Sequence, residues 1–448
     1  MQINIGLIGF GTIGAGVVKI LQKSSDLIEK RTGVRLCLKR IADLDITTSR
    51  GVVVEPRLLT TKAEEIIGAD DIDVVIELIG GYEPARTIVL SAMRAGKDVV
   101  TANKALLSRY WEEIFQTAAE SGTAFYAEAS VGGGIPIISS ITQGLVANEI
   151  QEIYGIINGT CNYILTKMSD EGLEFSEALK QAQANGYAEA DPAFDIDGVD
   201  TAHKLSILSS ISFGGHIPLD AISIQGITMI TKLDIDYAKE LGFVIKLLGI
   251  AKRLSANEIE ASVHPAMIPE DHLLASVNDV FNAIYMVGDF IGPMMFYGKG
   301  AGQLPTASAI VGDLVMLAHQ RKGLTNARAS LAARALLAEK ASLAEKASLA
   351  EKASADTIRV RKTDSISSKY YLRVTAEDRA GVLASIAGIL GKYGISIASC
   401  IQKERGQFVP IIILTHEAEE GNLRAAIAEI DGLSEIKDRT VCISLVAG

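Results

Sequence analysis

The densest group of reactive side chains lies in AQANGYAEADPAFDIDGVDTAHK, from Ala182 to Lys204. Its last sixteen residues hold Glu189, Asp191, Asp195, Asp197, Asp200 and Lys204. Gly186, Pro192 and Gly198 break the run into turns, so Asp191 and Asp197 read as solvated turn residues. Asp200 and Lys204 read differently. Four residues apart, they share a helix face, and that face continues through Leu208 and Ile211 as an expected inward stripe. A charged pair at the head of an apolar stripe points into a partly buried site, where a lysine can take a proton-transfer role. Carboxylates and a lysine without a Cys/His set do not call for catalytic zinc.

A second candidate is Gly9-Phe10-Gly11-Thr12-Ile13-Gly14, set between an apolar strand and a helix. In that context GxGxxG is a dinucleotide loop. Gly9 allows the tight turn, Gly11 lets backbone approach a pyrophosphate, and Gly14 lets helix and strand pack closely. The pyrophosphate then faces the free amides of a helix N-terminus. Asp43, ending the second strand, suits the ribose hydroxyls of NAD. Lys39, Arg40, Arg50 and Arg57 nearby keep NADP open. Lys104 follows a later strand, at the carboxyl side where open sheets bind ligands.

These residues need elements to position them. Ile3 to Ile8, Val34 to Ala42, Val74 to Leu78, Asp98 to Thr101 and Ala124 to Ala127 read as strands alternating with helical segments. That alternation predicts an α/β fold with a Rossmann-type, doubly wound parallel sheet over 1–132, completed by a helix from 306–325. From about Glu149, strand-like runs (150–157, 221–227, 259–263, 283–287) separate from two long helices (175–185, 198–213), an α+β domain over 133–305. Residues 337–354 are LAEKAS three times over. Six residues advance about 600°, so successive leucines swing by about 120° and form no coiled-coil seam. The repeat reads as a helical or frayed spacer within a linker, 326–368. Residues 369–448 read as a small βαββαβ domain.

At 448 residues the chain is long enough for about three domains. A net charge of −11, with no basic run, argues against nucleic acid as a partner. Cys37, Cys161, Cys400 and Cys442 are scattered without a CxxC pair, against a structural zinc or disulfide framework. MQINIGLIGFG is not a signal peptide, and no apolar run is long enough to cross a membrane. A soluble, cytoplasmic protein is expected.

The spacing A-x3-G-Y-A-x2-D-P-x2-D-I-x-G-x-D-x3-K resembles the signature of homoserine dehydrogenases at every position. The resemblance extends to GFGTIG, TANKALL, EASVGGGIP, IINGTCNYIL and YGKGAGQLPTASAIVGDL, and so over most of the chain. The C-terminal stretch is similar to ACT regulatory modules through EDRAGVLASIAGIL. The resemblance implies reversible, NAD- or NADP-dependent interconversion of L-aspartate 4-semialdehyde and L-homoserine, on the route to threonine, methionine and isoleucine. It makes 133–305 the catalytic and dimerisation domain. It implies Lys204 as proton donor, with Lys104 sharing that work or orienting the substrate. Asp200, Glu189 and Gly186 would hold the substrate, and Gly302 would join the cofactor site. Glu128, Val131, Gly133 and Ile135 match positions said to hold a monovalent cation such as sodium. Asp378, Arg379, Ala380 and Gly381 form a strand-to-helix turn suited to an amino-acid carboxylate. The expected effector is threonine, and the expected assembly is a homodimer or homotetramer.

Two rival readings remain. An aspartate-semialdehyde dehydrogenase would need a cysteine nucleophile, and Cys161 is its only candidate. A non-catalytic sensor would bind cofactor and amino acid without turnover, which the Asp200–Lys204 pair argues against.

Overall fold

The computed structural model describes residues 1–321, 358–403 and 405–446; the hexamer repeat lies outside them. The chain divides into two compact units. One comprises Met1–Ile153, His203–Leu219 and Asn282–Ile358, the other Tyr154–Ala202, Asp220–Phe281 and Arg359–Gly448.

The first unit is built on β1 (Gln2–Ile8), β2 (Arg35–Ala42), β3 (Leu59–Thr60), β4 (Val74–Glu77), β5 (Asp98–Thr101) and β6 (Phe125–Tyr126). They form one parallel sheet ordered β3-β2-β1-β4-β5-β6, the doubly wound arrangement expected from the alternation. Every residue of β4 and β5 is buried, as a sheet covered on both faces requires. The helix α1 (Thr12–Thr32) starts directly after the glycine-rich loop. It stops at Gly33, whose left-handed φ of 67° lets its N–H bond Glu29 O at 2.8 Å. The helix Gln303–Arg321 packs on α1, where Gly16 is required because a Cβ would lie 2.7 Å from Gln303 O. Arg321 ties that helix to the sheet through Asp98 (2.7 Å) and Asp73 (2.9 Å).

In the second unit the long strands Phe243–Ser255 and Glu258–Pro269 pair antiparallel. The C-terminal module has the expected order: Ser367–Glu377, helix Val382–Lys392, Ile397–Ile401, Phe408–Thr415, helix Glu420–Asp431 and Val441–Leu445. Leu372, Val374, Ile386, Leu390, Ile411 and Ile430 form its core. Its last strand also runs parallel to Glu258–Pro269, with Ala266 opposite Ser444 and Met267 opposite Leu445. The module's sheet therefore continues the central one. A second tie is polar. Asp234, fully buried, accepts from Arg373 Nε (2.7 Å), Arg373 Nη2 (3.1 Å) and the Tyr371 hydroxyl (3.1 Å).

Three details depart from the sequence reading. Phe243–Ser255 and Gly292–Lys299 are strands that the apolar pattern did not disclose. FVIKLLGIAKRLS fits a helical period as well as a strand until its neighbours are known. The run 221–227 is strand only at Ser223–Ile224. The helix Val199–Phe213 has no one-sided stripe: from Asp200 to Ile211 every residue is buried except Lys204, which is half-buried. It is a core helix, buried on all faces. Among the described residues no helix is long and apolar enough to cross a membrane.

Candidate active site

In the first unit the ends of β1, β4 and β5 make one crest. Gly9 takes φ 101°, and a Cβ there would lie 2.6 Å from the Leu78 carbonyl. Gly14 packs so closely that a Cβ would sit 2.2 Å from Gly9 O. Gly11 is exposed with nothing within 4 Å of where its Cβ would point, leaving open space over the loop for a phosphate. Thr12 is exposed beside it, Ile13 half-buried, and Phe10 5% exposed. Asp43 braces the loop, Oδ2 accepting from Phe10 N at 2.5 Å and Oδ1 from Asp45 N at 2.8 Å. Arg50 pairs with Asp45 at 3.0 Å. Gly302, exposed at φ 124°, precedes Gln303, whose amide reaches Thr12 O at 3.1 Å.

The neighbouring part of the crest is organised by Glu77, fully buried at the end of β4. It accepts from Ile79 N, Gly80 N and the Thr101 hydroxyl (2.8, 3.1 and 2.7 Å). Thr101 Oγ1 in turn accepts from Asn103 N at 2.9 Å. Asn103 caps the helix Lys104–Arg109 by accepting from Leu106 N. Lys104 is thus the first residue of a helix aimed from the carboxyl end of β5. Ser108 on that helix meets His203 Nδ1 at 2.7 Å, both groups buried. The contact clasps the Lys104 helix to the helix that carries Lys204.

In the second unit the acidic stretch is wired to the NGTC segment. Asn158 Nδ2 donates to Asp200 Oδ2 (2.8 Å) and Asp195 Oδ1 (2.7 Å), while its Oδ1 caps the helix Gly159–Glu171 at Cys161 N. Thr160 Oγ1 lies 3.1 Å from Asp195 Oδ2 and 2.7 Å from Tyr187 O. This chain of contacts brings Asp200 and the turn at Gly186 into one network. Gly186, at φ 72°, ends the helix Phe175–Ala184 in a Schellman arrangement, with its own N–H on Gln183 O and that of Tyr187 on Ala182 O. Glu189 is exposed three residues after Gly186, and Asp191 and Asp197 are exposed turn residues. Cys161 is fully buried, its thiol donating to Asp195 O at 3.2 Å, so it is no accessible nucleophile.

Glu128 is buried, accepting from Ile138 N (2.8 Å) and Ser139 N (2.7 Å), and its own N–H meets Asp313 Oδ2 at 2.9 Å. Desolvation raises the pKa of both carboxyls, Asp313 the more, and neither has an ion-pair partner among the described residues. Val131 and Ile135 are buried alongside. Gly133, at φ 53°, is obligatory because a Cβ would lie 2.3 Å from Gly300 O. In the C-terminal module, Asp378, Arg379, Ala380 and Gly381 are exposed ahead of Val382–Lys392, Gly381 at φ 97°. The amides of Asp378 and Arg379 are spent on Gln407 O and Glu377 O.

Asn158, Asp195 and Glu77 were not singled out from sequence. Asn158 lay in plain sight as the residue before a helix, but its bonds to Asp195 and Asp200 span 37 and 42 residues. Glu77 stood at the end of an apolar strand, and an acidic residue there was the available signal.

Residues 9–128 match the family model described as homoserine dehydrogenase, NAD binding domain, residues 136–315 that of homoserine dehydrogenase, and residues 370–432 that of the ACT domain. A homoserine dehydrogenase of Synechocystis sp. is 40% identical over 442 residues, covering 98% of each chain. A crystal structure of a homoserine dehydrogenase from Thiobacillus denitrificans superposes with a TM-score of 0.90 at 42% identity, covering 100% of this chain and 98% of its own. A hyperthermophilic archaeal homoserine dehydrogenase solved with NADPH matches at a TM-score of 0.61 and 26% identity, covering 71% of this chain and 98% of its own. Neither rival activity finds support among these relatives.

Proposed function

The chain belongs to the homoserine dehydrogenase family, and on that premise we propose that Lys204 is its proton donor, assisted by Lys104. The reaction is the reversible, nicotinamide-dependent interconversion of L-aspartate 4-semialdehyde and L-homoserine. When bound, the nicotinamide supplies the hydride. The chain must then protonate the carbonyl oxygen and hold the amino acid. In the reducing direction the Lys204 ammonium gives its proton to the oxygen as alkoxide charge develops, and in the oxidising direction the neutral amine takes it back. Asp200 and Glu189 take the substrate ammonium, and Gly186 lends a backbone contact. Lys104 orients the substrate and shares the proton work. One observation carries this reading: the Ser108–His203 bond holds the Lys204 helix to the helix that begins at Lys104, beside the nucleotide crest.

The nucleotide fits Gly9, Phe10, Gly11, Thr12, Ile13 and Gly14, with Asp43, Lys104 and Gly302 around them. Asp43 favours NAD. Arg50 is the cation on which a preference for NADP would rest, and the archaeal relative was solved with NADPH. Glu128, Val131, Gly133 and Ile135 suit a monovalent cation such as sodium in one respect: two buried carboxyls there lack a countercharge. A bound monovalent cation would balance the charge of one of them. At the C-terminal module, the amides of Ala380 and Gly381, with no partner among the described residues, suit an amino-acid carboxylate beside Asp378. Threonine is the effector we assign there, in a homodimeric or homotetrameric cytoplasmic enzyme.

The test is the near-ultraviolet absorbance of reduced nicotinamide on mixing the chain with L-homoserine and either NAD or NADP. Reduction of at least one is expected, and the ratio of rates fixes the preference. No reduction of either overturns the reading.

A further inference from the structure

Glu77 ends β4 fully buried, yet every hydrogen bond it accepts comes from an uncharged donor. Oε1 takes the N–H groups of Ile79 and Gly80, and Oε2 takes the Thr101 hydroxyl. A carboxyl that only accepts is in its ionised form. Amides and a hydroxyl spread a negative charge without cancelling it. Glu77 therefore sets an anion into the carboxyl edge of the parallel sheet. In surroundings of low dielectric such a charge is felt over several ångströms, and salt screens it little.

Only a thin turn separates this charge from the surface. Ile79, Gly80 and Gly81 are exposed, the two glycines at φ 80° and 71°. No atom lies within 4 Å of where a Cβ on either glycine would point. Asn103 Nδ2 holds the turn by donating to Gly81 O at 2.8 Å. The position in the sheet decides what the charge faces. Strand order reverses between β1 and β4, and a dinucleotide spans such a switch point with one nucleotide on each half. The phosphate loop follows β1, and Asp43, suited to the adenosine ribose, follows β2. The nicotinamide half therefore falls on the side of β4 and β5, where Glu77 and Thr101 end.

We propose that Glu77 acts as a buried counterion to the oxidised nicotinamide ring and so biases the bound nucleotide toward its oxidised form. The reduced ring is neutral. A hydride given to the substrate carbon carries two electrons and one proton, and leaves the ring with one positive charge. Glu77 favours the charged ring over the neutral one. Tighter binding of the oxidised form lowers the reduction potential of the bound couple, which makes the reduced nucleotide a stronger hydride donor toward the aldehyde. Glu77 need not move or exchange a proton to do this, because its three donors already fix it. The proposal rests on the nucleotide site at Gly9 to Gly14, and not on the roles given to Lys204 and Lys104.

The test is calorimetric binding, without substrate, of oxidised and reduced NAD and of oxidised and reduced NADP to the full chain. Wild type, Glu77→Gln and Thr101→Val are compared. Glu77→Gln keeps the size of the side chain and removes its charge. It should weaken the oxidised form at least about tenfold more than the reduced form, a rise of about 30 mV in the potential of the bound couple. Thr101→Val keeps the charge and loses one bond to it, so the ratio of the two affinities should stay within about twofold of wild type. Equal weakening of both forms in Glu77→Gln is what a purely structural carboxylate gives, and it overturns the proposal. If Glu77→Gln does not fold, Thr101→Val still decides: an unmoved ratio supports the proposal, and a tenfold change with the charge in place overturns it. A wild type that binds no nucleotide overturns the nucleotide site as well. One that binds nucleotide but does not oxidise homoserine overturns only the roles of Lys204 and Lys104.

Discussion

In the glycine-rich loop the residues that shape the site are six consecutive ones, Gly9 to Gly14. At the seam of the C-terminal module, Asp234 is held by Arg373 and Tyr371, 139 and 137 residues away. The loop is shaped by what is missing: side chains that would strike Leu78 or Gly9 itself. The seam is shaped by what is present, a buried carboxylate whose lone pairs are filled by a guanidinium, a phenol and its own helix cap at Thr231. A loop position with open space over it, as at Gly11, can lose function without losing its fold. A region built from buried polar partners cannot lose one of them without stranding the other.

The largest effect expected from this contrast is that of Asp234→Ala. It leaves the Arg373 guanidinium, 11% exposed, without its countercharge, and chemical denaturation should report a loss of about 3–5 kcal/mol. A loss below about 1 kcal/mol would make the seam a surface-like contact and break the comparison.

Next comes Lys246, another long-range pin. The residue is 2% exposed, and its ammonium is bonded to Asn162 Oδ1 (3.1 Å), Val277 O (2.6 Å) and Asn278 Oδ1 (3.0 Å). Desolvation nevertheless lowers its pKa from 10.5 to about 8. Between those values the unfolded chain binds the proton and the folded chain does not, so folding grows more favourable as pH rises. The whole span is worth about 3 kcal/mol. Wild type should gain stability relative to Lys246→Met as pH climbs from about 8 toward 10.5, with the difference flat below 8. A difference flat across the whole range would refute the buried-amine account.

The smallest effect on the fold is expected at Gly11. Its φ of −70° is open to any residue and no atom lies within 4 Å of the absent Cβ. Gly11→Ala should leave stability within about 0.5 kcal/mol, while calorimetry shows nucleotide binding weakened at least about tenfold. If stability fell in step with binding, the loop would be no different in kind from the seam.

The same contrast sets how far the sequence could be read. The parallel sheet, the loop that opens it and the βαββαβ order rest on short-range periodicity and turn chemistry, and the structure has them. Phe243–Ser255 escaped because a strand buried on both sides offers no alternation to recognise. The stripe expected through Asp200, Lys204, Leu208 and Ile211 dissolved because burial reaches every face of that helix, a property of its neighbours. The joining of Ser444 and Leu445 to Ala266 and Met267, and the hub at Asn158, are pairings across long stretches of chain that no local pattern encodes. In the acidic stretch, turn chemistry sufficed to place Asp191 and Asp197 in exposed turns. It gave no means of finding that Asp195 is bound to Asn158.

The most direct test of the account is Lys204→Met, a change of similar length at the one half-buried position between Asp200 and Ile211. Turnover with L-homoserine and equilibrium binding of the nucleotide would be measured on the same preparation. Loss of the proton-transfer group should lower kcat by about 10²–10⁴-fold while the nucleotide Kd stays within about twofold. A kcat that survives within about tenfold, or a Kd that rises in step with the loss of rate, would contradict the role given to Lys204.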